Sequence, residues 1–457
     1  MSELIIEKNI VTQKGWVLTT LDEFSFLTFG QSPPSSSYNK KGKGLPFFQG
    51  RAEFGKLYPE IKIWCTKPNR IAEKNDVLIC VRAGVGGTNL NPTRSCIGRG
   101  LASIRSLHGV NPLYILYYLR SIENILSQQG RGSTLTGITS QELRQLRIPV
   151  APLNEQKRIV AKIEELFSKL DFSKHALGKT KTLSKQYRQS LLKSAFEGKL
   201  TEKWRKENKT QSEIPEKIRN LFKNNENSIF SENWILVKMK NITNIQMGQS
   251  PKGMSYNTNH NGVALLNGPT EFGEKYPIEI QWTTSPTKIC KKDDLLFCVR
   301  GNTIGRMNWA NKEYCIGRGL CAINSSSYID LKLIFYFLLM KKEEIFHIGK
   351  GSTFPNISKD KLENFNIPLM SNYEQKQIIS KIDEGFSLIE NNERIIDLSL
   401  KNIERLRKNI LKQAFEGKLV PQDPNDEPAE ILLKKIMKEK QTNINQTKSL
   451  RRKKNGK

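Results

Sequence analysis

The strongest constraint on the fold is that the second half of this sequence repeats the first. The segment at 96–101, Cys-Ile-Gly-Arg-Gly-Leu, returns unchanged at 315–320. Equivalent residues keep a constant interval as far as the pair Arg82 and Arg300, after which the interval grows by one residue and holds. An ordered series with one insertion predicts two copies of the same structural unit. Further repeated pairs are Trp16 and Trp234, Trp64 and Trp282, and the segments 30–33 and 248–251, 53–55 and 271–273, 132–134 and 351–353, and 195–200 and 414–419.

Each half begins with a part of mixed character. Short apolar runs, such as 77–81 and its counterpart 295–299, are separated by clusters of Gly, Pro, Asn and Ser. Such runs and clusters predict short β-strands joined by turns and loops. One helical stretch, 112–126, interrupts them and recurs at 331–346. The pattern predicts an α/β domain in each half.

The second part of each half, 153–200 and 372–419, contains no proline and little glycine. Apolar residues recur there at intervals of three and four, which predicts one long amphipathic helix per half. We expect the helices to end near Gly198 and Gly417 and to be about 65–70 Å long. The apolar stripes consist of Ile159, Ile163, Leu166, Leu170 and Leu177 in one copy, and of Ile378, Ile382, Phe386, Ile389, Ile396, Ile403 and Ile410 in the other.

The simplest way to bury two apolar stripes is to pack them against each other. This predicts two duplicated α/β domains joined by two long antiparallel, coiled-coil-like α-helices and related by a pseudo-twofold axis. A helix of a second protein could equally cover part of the stripe. The predicted divisions are α/β domains at 13–152 and 231–371, long helices at 153–200 and 372–419, a linker at 201–230, and a basic, disordered tail at 420–457.

Composition favours a polyanionic partner. The chain has 73 Lys and Arg against 45 Asp and Glu, giving a net charge of +28 and a pI near 9.7. A field of that sign attracts nucleic acid, although a merely basic protein remains open. No apolar run approaches the roughly 20 residues that span a bilayer, and the seven cysteines contain no Cys-x-x-Cys pair. We therefore expect a cytoplasmic protein with reduced thiols, no metal site and no membrane partner.

Several short motifs occur in the same order in both halves. A Gly-Ser-Thr segment (132–143 and 351–362) precedes Ile-Pro (148–149 and 367–368) and Glu-Gln-Lys (155–160 and 374–379), and Ala-Phe-Glu-Gly-Lys-Leu ends each predicted helix. Each motif is weak alone, but their ordered double occurrence resembles the specificity subunit of type I DNA restriction–modification enzymes. The resemblance covers nearly the whole chain except its N-terminus and basic tail.

The resemblance implies a non-catalytic reader of double-stranded DNA with two target-recognition domains. Each domain would bind one half of a split, asymmetric target, and the helical pair would set the gap between the halves. The helices would also dock two modification subunits that carry S-adenosylmethionine and methylate adenine. A restriction subunit, with its ATP and Mg, is a further partner that the resemblance allows. No cofactor is expected on this chain.

Two other classes of protein stay open. One is a nucleic-acid-binding scaffold that recruits no methylase. The other is a fused methylase and reader, which the sequence disfavours because it lacks a glycine-rich cofactor loop. A phosphate-binding Gly-x-x-x-x-Gly-Lys-[Ser/Thr] loop is missing as well. The segment 111–114, Asn-Pro-Leu-Tyr, is similar to a methyltransferase Asn-Pro-Pro-Tyr motif. However, Pro112 fits the first turn of a helix, and no glycine-rich cofactor loop precedes it.

Comparison of the two copies suggests which residues contact DNA. Phosphate is the same in every sequence, so residues kept in both copies suit phosphate or the fold, whereas residues that differ suit base edges. For the kept arginines, an internal salt bridge to Asp76 or Glu53 is the alternative; for the others it is loop drift. The kept candidates are Gln31, Ser32, Arg82, Arg99 and Arg131, with Gln249, Ser250, Arg300, Arg318 and Lys350. The differing candidates are Lys43, Arg51, Asn89, Arg94, Asn257, Asn302 and Arg306.

Overall fold

A computed structural model describes residues 13–129, 137–222, 233–349 and 355–455, with side chains as far as residue 442. The described chain forms two compact units. The first takes the described residues up to Leu177 and those from Leu398 onward, and the second takes Gly178–Asp397. Each unit contains one α/β domain together with a segment of each long helix.

The α/β domain of the first unit is built from three small sheets. They are a two-stranded sheet (β1-β11), a four-stranded sheet (β2-β10-β7-β8) and a five-stranded sheet (β3-β5-β4-β9-β6). All pairings are antiparallel except that of β4 with β9. The strands are β1 (Val17–Thr20), β2 (Ser25–Phe29), β3 (Tyr38–Asn39), β4 (Leu45–Phe48), β5 (Trp64–Cys65), β6 (Ile71–Ala72), β7 (Val77–Cys80), β8 (Thr88–Leu90), β9 (Ser95–Ile97), β10 (Leu101–Ser106) and β11 (Arg147–Val150), and the helices are α1 (Leu21–Phe24), α2 (Pro112–Ser121), α3 (Glu123–Gln129) and α4 (Ser140–Gln145).

The first long helix, α5 (Leu153–Phe196), follows the domain directly. The segment expected to be a polar linker then forms three short helices, α6 (Glu202–Glu207), α7 (Lys209–Ser212) and α8 (Glu216–Leu221). Ile214 and Phe222 of this segment are buried. The linker is therefore partly folded onto the second unit.

The second α/β domain repeats the sheets of the first in the same strand order. Its sheets are β12-β22, β13-β21-β18-β19 and β14-β16-β15-β20-β17, and again one pair, β15 with β20, is parallel. The strands are β12 (Ile235–Lys238), β13 (Thr243–Met247), β14 (Tyr256–Asn257), β15 (Val263–Leu266), β16 (Trp282–Thr283), β17 (Ile289–Cys290), β18 (Leu295–Cys298), β19 (Met307–Trp309), β20 (Tyr314–Ile316), β21 (Leu320–Ser325) and β22 (Asn366–Leu369), and the helices are α9 (Leu331–Met340), α10 (Lys342–Gly349) and α11 (Lys359–Glu363). The predicted duplication is confirmed strand by strand.

The second long helix, α12 (Asn372–Phe415), pairs antiparallel with α5 within each unit. In the first unit, Lys174 contacts Glu404 at 2.8 Å. In the second, Lys181 contacts Asp397 at 2.6 Å. The two long helices end as the sequence predicts: Gly198 and Gly417 adopt positive φ angles of 76° and 69°, which glycine adopts at little cost.

Each domain core is completed by a long helix of the other half of the sequence. In the first unit, the ring of Phe415 packs edge-on against Tyr114 and Tyr118, with both pairs of ring centroids 5.2 Å apart. In the second unit, Phe196 packs in the same manner against Phe337 at 5.4 Å. Aromatic pairs of this geometry add to the stabilisation from buried area.

The expectation of a disordered C-terminal tail is wrong. Residues Ala429–Asn455 form a helix, α13. Ala429, Leu432, Leu433 and Ile436 of this helix are buried in the core of the first unit. Their spacing of three and four residues is a helical pattern, which the many neighbouring lysines obscured in the sequence.

A buried carboxylate fixes each domain to its long helix. Glu155, in the first turn of α5, accepts a hydrogen bond from Trp16 Nε1 at 3.0 Å. Glu374, in the first turn of α12, accepts one from Trp234 Nε1 at 2.8 Å. These residues belong to the repeated Glu-Gln-Lys motif, so this motif serves the fold.

The two equivalent carboxylates have different surroundings. Glu374 also contacts Arg205 Nη1 at 2.5 Å, and the side chain of Arg205 is 15% exposed. Burial raises the pKa of Glu155 above its usual value, while the Trp16 hydrogen bond and the charge of Arg158 act in the opposite direction. Arg158 itself is paired with Asp426 at 2.6 Å. The charged carboxylate is therefore well compensated at Glu374 and poorly compensated at Glu155.

The same substitution should consequently have opposite effects at the two positions. Glu374→Gln should lower the free energy of unfolding by about 3 kcal/mol, because it leaves Arg205 buried without a counter-charge. Glu155→Gln should leave it unchanged or raise it at pH 7. A raised pKa in the folded state means that stability is full below the usual carboxyl pKa and decreases as pH rises through the raised value, and glutamine removes this loss. Urea unfolding of the full chain at pH 7 measures both effects.

Glu384→Gln is the matched control, because Glu384 is exposed on α12. It should change the free energy of unfolding by no more than about 0.5 kcal/mol. Equal destabilisation by Glu155→Gln and Glu374→Gln would contradict the proposed difference between the two sites.

Candidate nucleic-acid interface

The glycine-flanked arginines lie on a turn between two sheets of each domain. Arg99 follows β9 and Arg318 follows β20, and both side chains are exposed. The flanking glycines are required by neighbouring protein backbone: a Cβ at Gly100 would lie 2.3 Å from the Gln49 carbonyl oxygen, and a Cβ at Gly319 would lie 2.4 Å from that of Asn267. These glycines therefore meet a packing requirement inside each domain.

The Gln-Ser loops lie against these turns. The Arg99 amide donates a hydrogen bond to Ser32 Oγ at 3.2 Å, and the Arg318 amide donates to Ser250 Oγ at 3.2 Å. The neighbouring side chains of Gln31 and Gln249 are exposed. The structure thus brings together Gln31, Ser32 and Arg99 in the first unit and Gln249, Ser250 and Arg318 in the second.

A third loop adjoins this group and was missed by the sequence analysis. It covers residues 66–70 in the first unit and 284–288 in the second. Asn69 Nδ2 donates to the Ser32 carbonyl at 3.3 Å, and Thr287 Oγ1 donates to the Gln249 carbonyl. The loop exposes Arg70 in one unit and Lys288 in the other. The positive charge kept at these equivalent positions was a signal that could have identified the loop.

The loop between β3 and β4 has the same backbone scaffold as the loop between β14 and β15. Asn257 Oδ1 accepts hydrogen bonds from the amides of Asn259 and Asn261, and its Nδ2 donates to the Asn261 carbonyl. Asn39 makes the equivalent bonds with the backbone of Lys41 and Lys43. Asn257 is therefore a turn scaffold, and its role as a base-reading residue stays a prediction. Lys43 is exposed, as a DNA contact requires.

The arginines that follow β7 and β18 point into solvent. Arg82 and Arg300 are exposed, and neither forms an ion pair with another described residue. Asp76, the suggested internal partner, is instead paired with Arg105 at 2.9 Å. Glu53, the other suggested partner, accepts from the Gly50 amide at 2.9 Å. Both arginines thus keep an exposed positive charge.

Asn89 was predicted to read bases, and this prediction is wrong. Its side chain is 1% exposed. Its Oδ1 accepts from the Gly55 amide at 3.0 Å, and its Nδ2 donates to the carbonyls of Gly55 at 3.0 Å and Thr88 at 2.8 Å. In the second unit Asn308 Nδ2 donates to the Gly273 carbonyl at 3.1 Å. Asn89 holds the repeated Glu-Phe-Gly turn, and it is kept in both copies once the one-residue insertion is placed.

Of the other differing candidates, two are arginines in ion pairs and two are exposed. Arg51 Nη1 lies 2.5 Å from Glu123 Oε1, and Arg94 Nε lies 3.3 Å from Glu73 Oε1. Asn302 and Arg306, in the loop between β18 and β19, are exposed, and Arg306 has no ion-pair partner among the described residues.

Arg131 and Lys350 lie outside the described residues, as do residues 132–134 and 351–353 next to them.

The cysteines have an unreactive environment. All seven are buried and free. Burial raises the pKa of Cys80 and of Cys290 to about 12, so these thiols stay protonated at neutral pH. Among the residues that the structure describes, no group of His, Cys, Asp and Glu could hold a metal ion, and no helix is long and apolar enough to cross a membrane.

Two α/β domains of equal topology, each joined to a long helix, have the architecture of a type I specificity subunit. The chain belongs to the family of type I restriction modification DNA specificity domains, whose model matches residues 13–179 and 231–399.

Individual relatives agree with this assignment. The chain is 42% identical over 146 residues to the type I restriction enzyme MjaX specificity subunit of Methanocaldococcus jannaschii, a match that covers 32% of this chain and 34% of that protein. It is 23% identical to the type I restriction enzyme EcoBI specificity subunit of Escherichia coli, covering 96% of both. A chain from work on complex assembly and conformational transition of the type I restriction–modification system has a TM-score of 0.69 and 24% identity, covering 89% of this chain and 99% of its own. This last likeness establishes the fold.

The two kinds of loop residue should differ in what their substitution changes. Asn89→Ala should lower the free energy of unfolding by about 1–3 kcal/mol, because it removes a buried amide whose three hydrogen bonds join Gly55 and Thr88. Arg99→Gln, at an exposed turn, should change it by less than about 0.5 kcal/mol. Chemical denaturation of the full chain gives both values. A destabilised Arg99→Gln protein would mean that this arginine supports the fold.

Proposed function

We propose that this chain is the DNA-reading component of a type I restriction–modification complex. Each α/β domain binds one half of a bipartite, asymmetric target in double-stranded DNA. The chain performs no chemistry itself. It positions partner modification subunits, which methylate adenine at the bound site.

The observation that carries this proposal is the pair of equivalent basic surfaces on two domains of the specificity family. Arg82 and Arg99 in the first unit, and Arg300 and Arg318 in the second, are exposed and have no ion-pair partner among the described residues. Unpaired arginines on rigid, hydrogen-bonded turns suit contact with phosphate, because little conformational entropy of the backbone is lost on binding.

The difference between the two units supports an asymmetric target. The loop following β7 carries Gly87 where the loop following β18 carries Arg306. Arg51 similarly stands where the second unit has Pro269. Domains of one fold with different loop chemistry are expected to bind different base sequences.

Exposed apolar residues on the long helices support docking of modification subunits. Leu388 and Ile395 of α12 are 66% and 50% exposed. They lie seven residues apart and so share one face of the helix. Ile389 and Ile396, one residue further on, are buried. One apolar face of α12 is therefore covered within the unit, and a second is available to a partner.

Cofactors belong to the partners in this proposal. S-adenosylmethionine binds the modification subunits, and ATP and Mg bind a restriction subunit where one joins the complex. Because the substrate is cellular DNA, we place the complex in the cytoplasm.

The first test is to co-express this chain with its modification partner and to map methylated adenines by single-molecule sequencing of host DNA. We expect methylation at one split, non-palindromic motif, and we expect it to disappear when this chain is omitted. The reason is that the partner lacks its own means of selecting a site. A partner catalytically active on its own, giving unchanged methylation without this chain, would favour a scaffold role. A palindromic motif would refute the two-reader proposal.

The second test concerns docking. Leu388→Glu should weaken capture of the modification subunit by at least about tenfold, because a carboxylate is desolvated in an apolar contact. Co-purification and analytical ultracentrifugation with purified subunits measure this effect. Ser387→Glu adds the same charge at an exposed position of α12 beside the apolar face and should bind normally. Equal capture by both variants would exclude this face as the docking surface.

A further inference from the structure

The two units expose different chemistry on loops of the same construction. We define the loop face of the first unit as residues 31–32, 40–43, 66–70 and 98–100, and that of the second as 249–250, 258–261, 284–288 and 317–319. Six exposed positions of the first loop face carry cations, namely Lys40, Lys41, Lys43, Lys67, Arg70 and Arg99. The equivalent positions of the second carry Thr258, Asn259, Asn261, Ser285, Lys288 and Arg318, all exposed.

The loops of each face are in contact, so the charges belong to one surface. A Cβ at Gly44, which ends the lysine loop, would lie 2.2 Å from the Cys65 carbonyl oxygen, directly before the 66–70 loop. Asn69 joins that loop to the Ser32 carbonyl, and Ser32 Oγ accepts from the Arg99 amide. The same chain of contacts is present in the second unit, through Gly262, Thr287 and Ser250.

The cations of the first loop face are free to bind anions. Within the described residues, none of the six has an ion-pair partner. Most other cations of these strands and loops are paired, as are Arg51 with Glu123 and Arg94 with Glu73. The first loop face is therefore a site of concentrated, uncompensated positive charge.

The second loop face is mostly uncharged. Besides Lys288 and Arg318 it is flanked by Lys252, which stands where the first unit has Pro34. Its tip side chains, Thr258, Asn259 and Asn261, offer hydrogen-bond donors and acceptors without charge. Next to it, Met254 is 92% exposed. Amide and hydroxyl groups pair with base edges, and apolar groups contact the thymine methyl group.

The opposite trend holds at the loop that follows the strand β7 or β18. In the first unit Arg51 extends over Gly87 and is neutralised by Glu123 at 2.5 Å. In the second unit the residues equivalent to Gly87 and Glu123 are Arg306 and Lys342. Lys342 packs against this loop, because a Cβ at Gly305 would lie 3.2 Å from its Cγ. The additional positive charge therefore lies on the loop face in the first unit and at the loop that follows β18 in the second unit.

From this exchange we infer that the loop face grips DNA phosphate in the first unit and contacts base edges in the second. In the second unit Arg306 and Lys342 replace the missing lysines as phosphate contacts, in addition to Arg300 and Arg318. This inference rests on the proposed function and assigns different roles to equivalent loops. The two roles have different consequences for DNA recognition. Contacts with phosphate are independent of the DNA sequence, whereas uncharged polar contacts with bases depend on it.

The test uses the complex assembled with the modification subunits and two triple variants. Lys40→Gln/Lys41→Gln/Lys43→Gln should reduce the slope of log K for DNA binding against log salt by about 2–3, because each lost phosphate contact contributes about 0.9. The methylated motif should stay the same. Thr258→Ala/Asn259→Ala/Asn261→Ala should leave the slope unchanged and should relax or alter one half of the motif.

A reciprocal variant provides the matched control. Thr258→Lys/Asn259→Lys/Asn261→Lys places the lysines on the same scaffold in the second unit and should increase the salt slope. Thermal melts of all variants should match the unsubstituted chain, since the substituted side chains are exposed and Asn39 and Asn257 are retained. An unchanged salt slope in the Lys40→Gln/Lys41→Gln/Lys43→Gln variant, or an altered methylated motif in that variant, would overturn the inference.

The outcome also separates the inference from the function on which it rests. If the unsubstituted complex directs methylation to a split motif and the variants behave alike, only the assignment of loops is wrong. If the unsubstituted complex binds no specific site, the proposed function itself is wrong.

Discussion

The hydrogen bond between a buried carboxylate and an indole is the interaction on which each unit depends. Glu155 and Glu374 stand in the first turn of the long helices. Each accepts from a tryptophan at the start of the preceding domain, Trp16 or Trp234. The bond joins the beginning of the domain to the helix that follows its end. The domain is thereby closed on itself and fixed to the helix at one point.

Gln156 and Gln375 extend this connection. Gln156 Nε2 donates to the Ala151 carbonyl at 2.7 Å, and Gln375 Nε2 donates to the Met370 carbonyl at 3.0 Å. These carbonyls belong to the short segments between the last strand and the helix, so the junction has little freedom to bend. In the proposed function, a rigid junction fixes the position of the DNA-binding loops relative to the long helix.

The surface loops have a constant framework and variable tips. Asn39 and Asn257 hold one loop by the same hydrogen bonds, and Asn89 and Asn308 hold another turn. In both cases the side chain is bonded to backbone, which is present whatever the neighbouring residues are. The tips can therefore change from lysine to threonine or asparagine without loss of the loop conformation. This separation allows one fold to carry two loops of different surface chemistry.

Local patterns predicted most of the architecture, whereas contacts between distant residues were not predictable. The duplication, the strands, the long helices and their terminal glycines follow from periodicity and backbone preference, which are local properties. The family resemblance also came from short, ordered motifs. By contrast, the pairing of Arg51 with Glu123 joins residues far apart in sequence.

The remaining wrong predictions, for Asn89 and for the C-terminal tail, concern residues whose burial was not predicted. Asn89 is polar and lies in a glycine-rich segment, yet it is buried because its amide satisfies the backbone of a turn more than thirty residues away. Helix α13 was hidden for the reverse reason, since four apolar residues among many lysines are enough to hold the helix when they meet an existing core. The polarity of a residue predicts its exposure only when no buried backbone group needs a partner.

The core contacts show that neither half of the sequence contains a complete domain core. Phe415 and Leu432, from the end of the second half, are part of the core that surrounds Tyr114. Leu192 and Phe196, from the first long helix, are part of the core that surrounds Phe337. Removing either segment would expose a large apolar surface on the domain that it covers, at a cost of about 25 cal/mol for each Å². Each recognition domain is thus stabilised by the other half of the chain, and a change that unfolds the end of one long helix acts on the loops of the domain at the other end of the sequence.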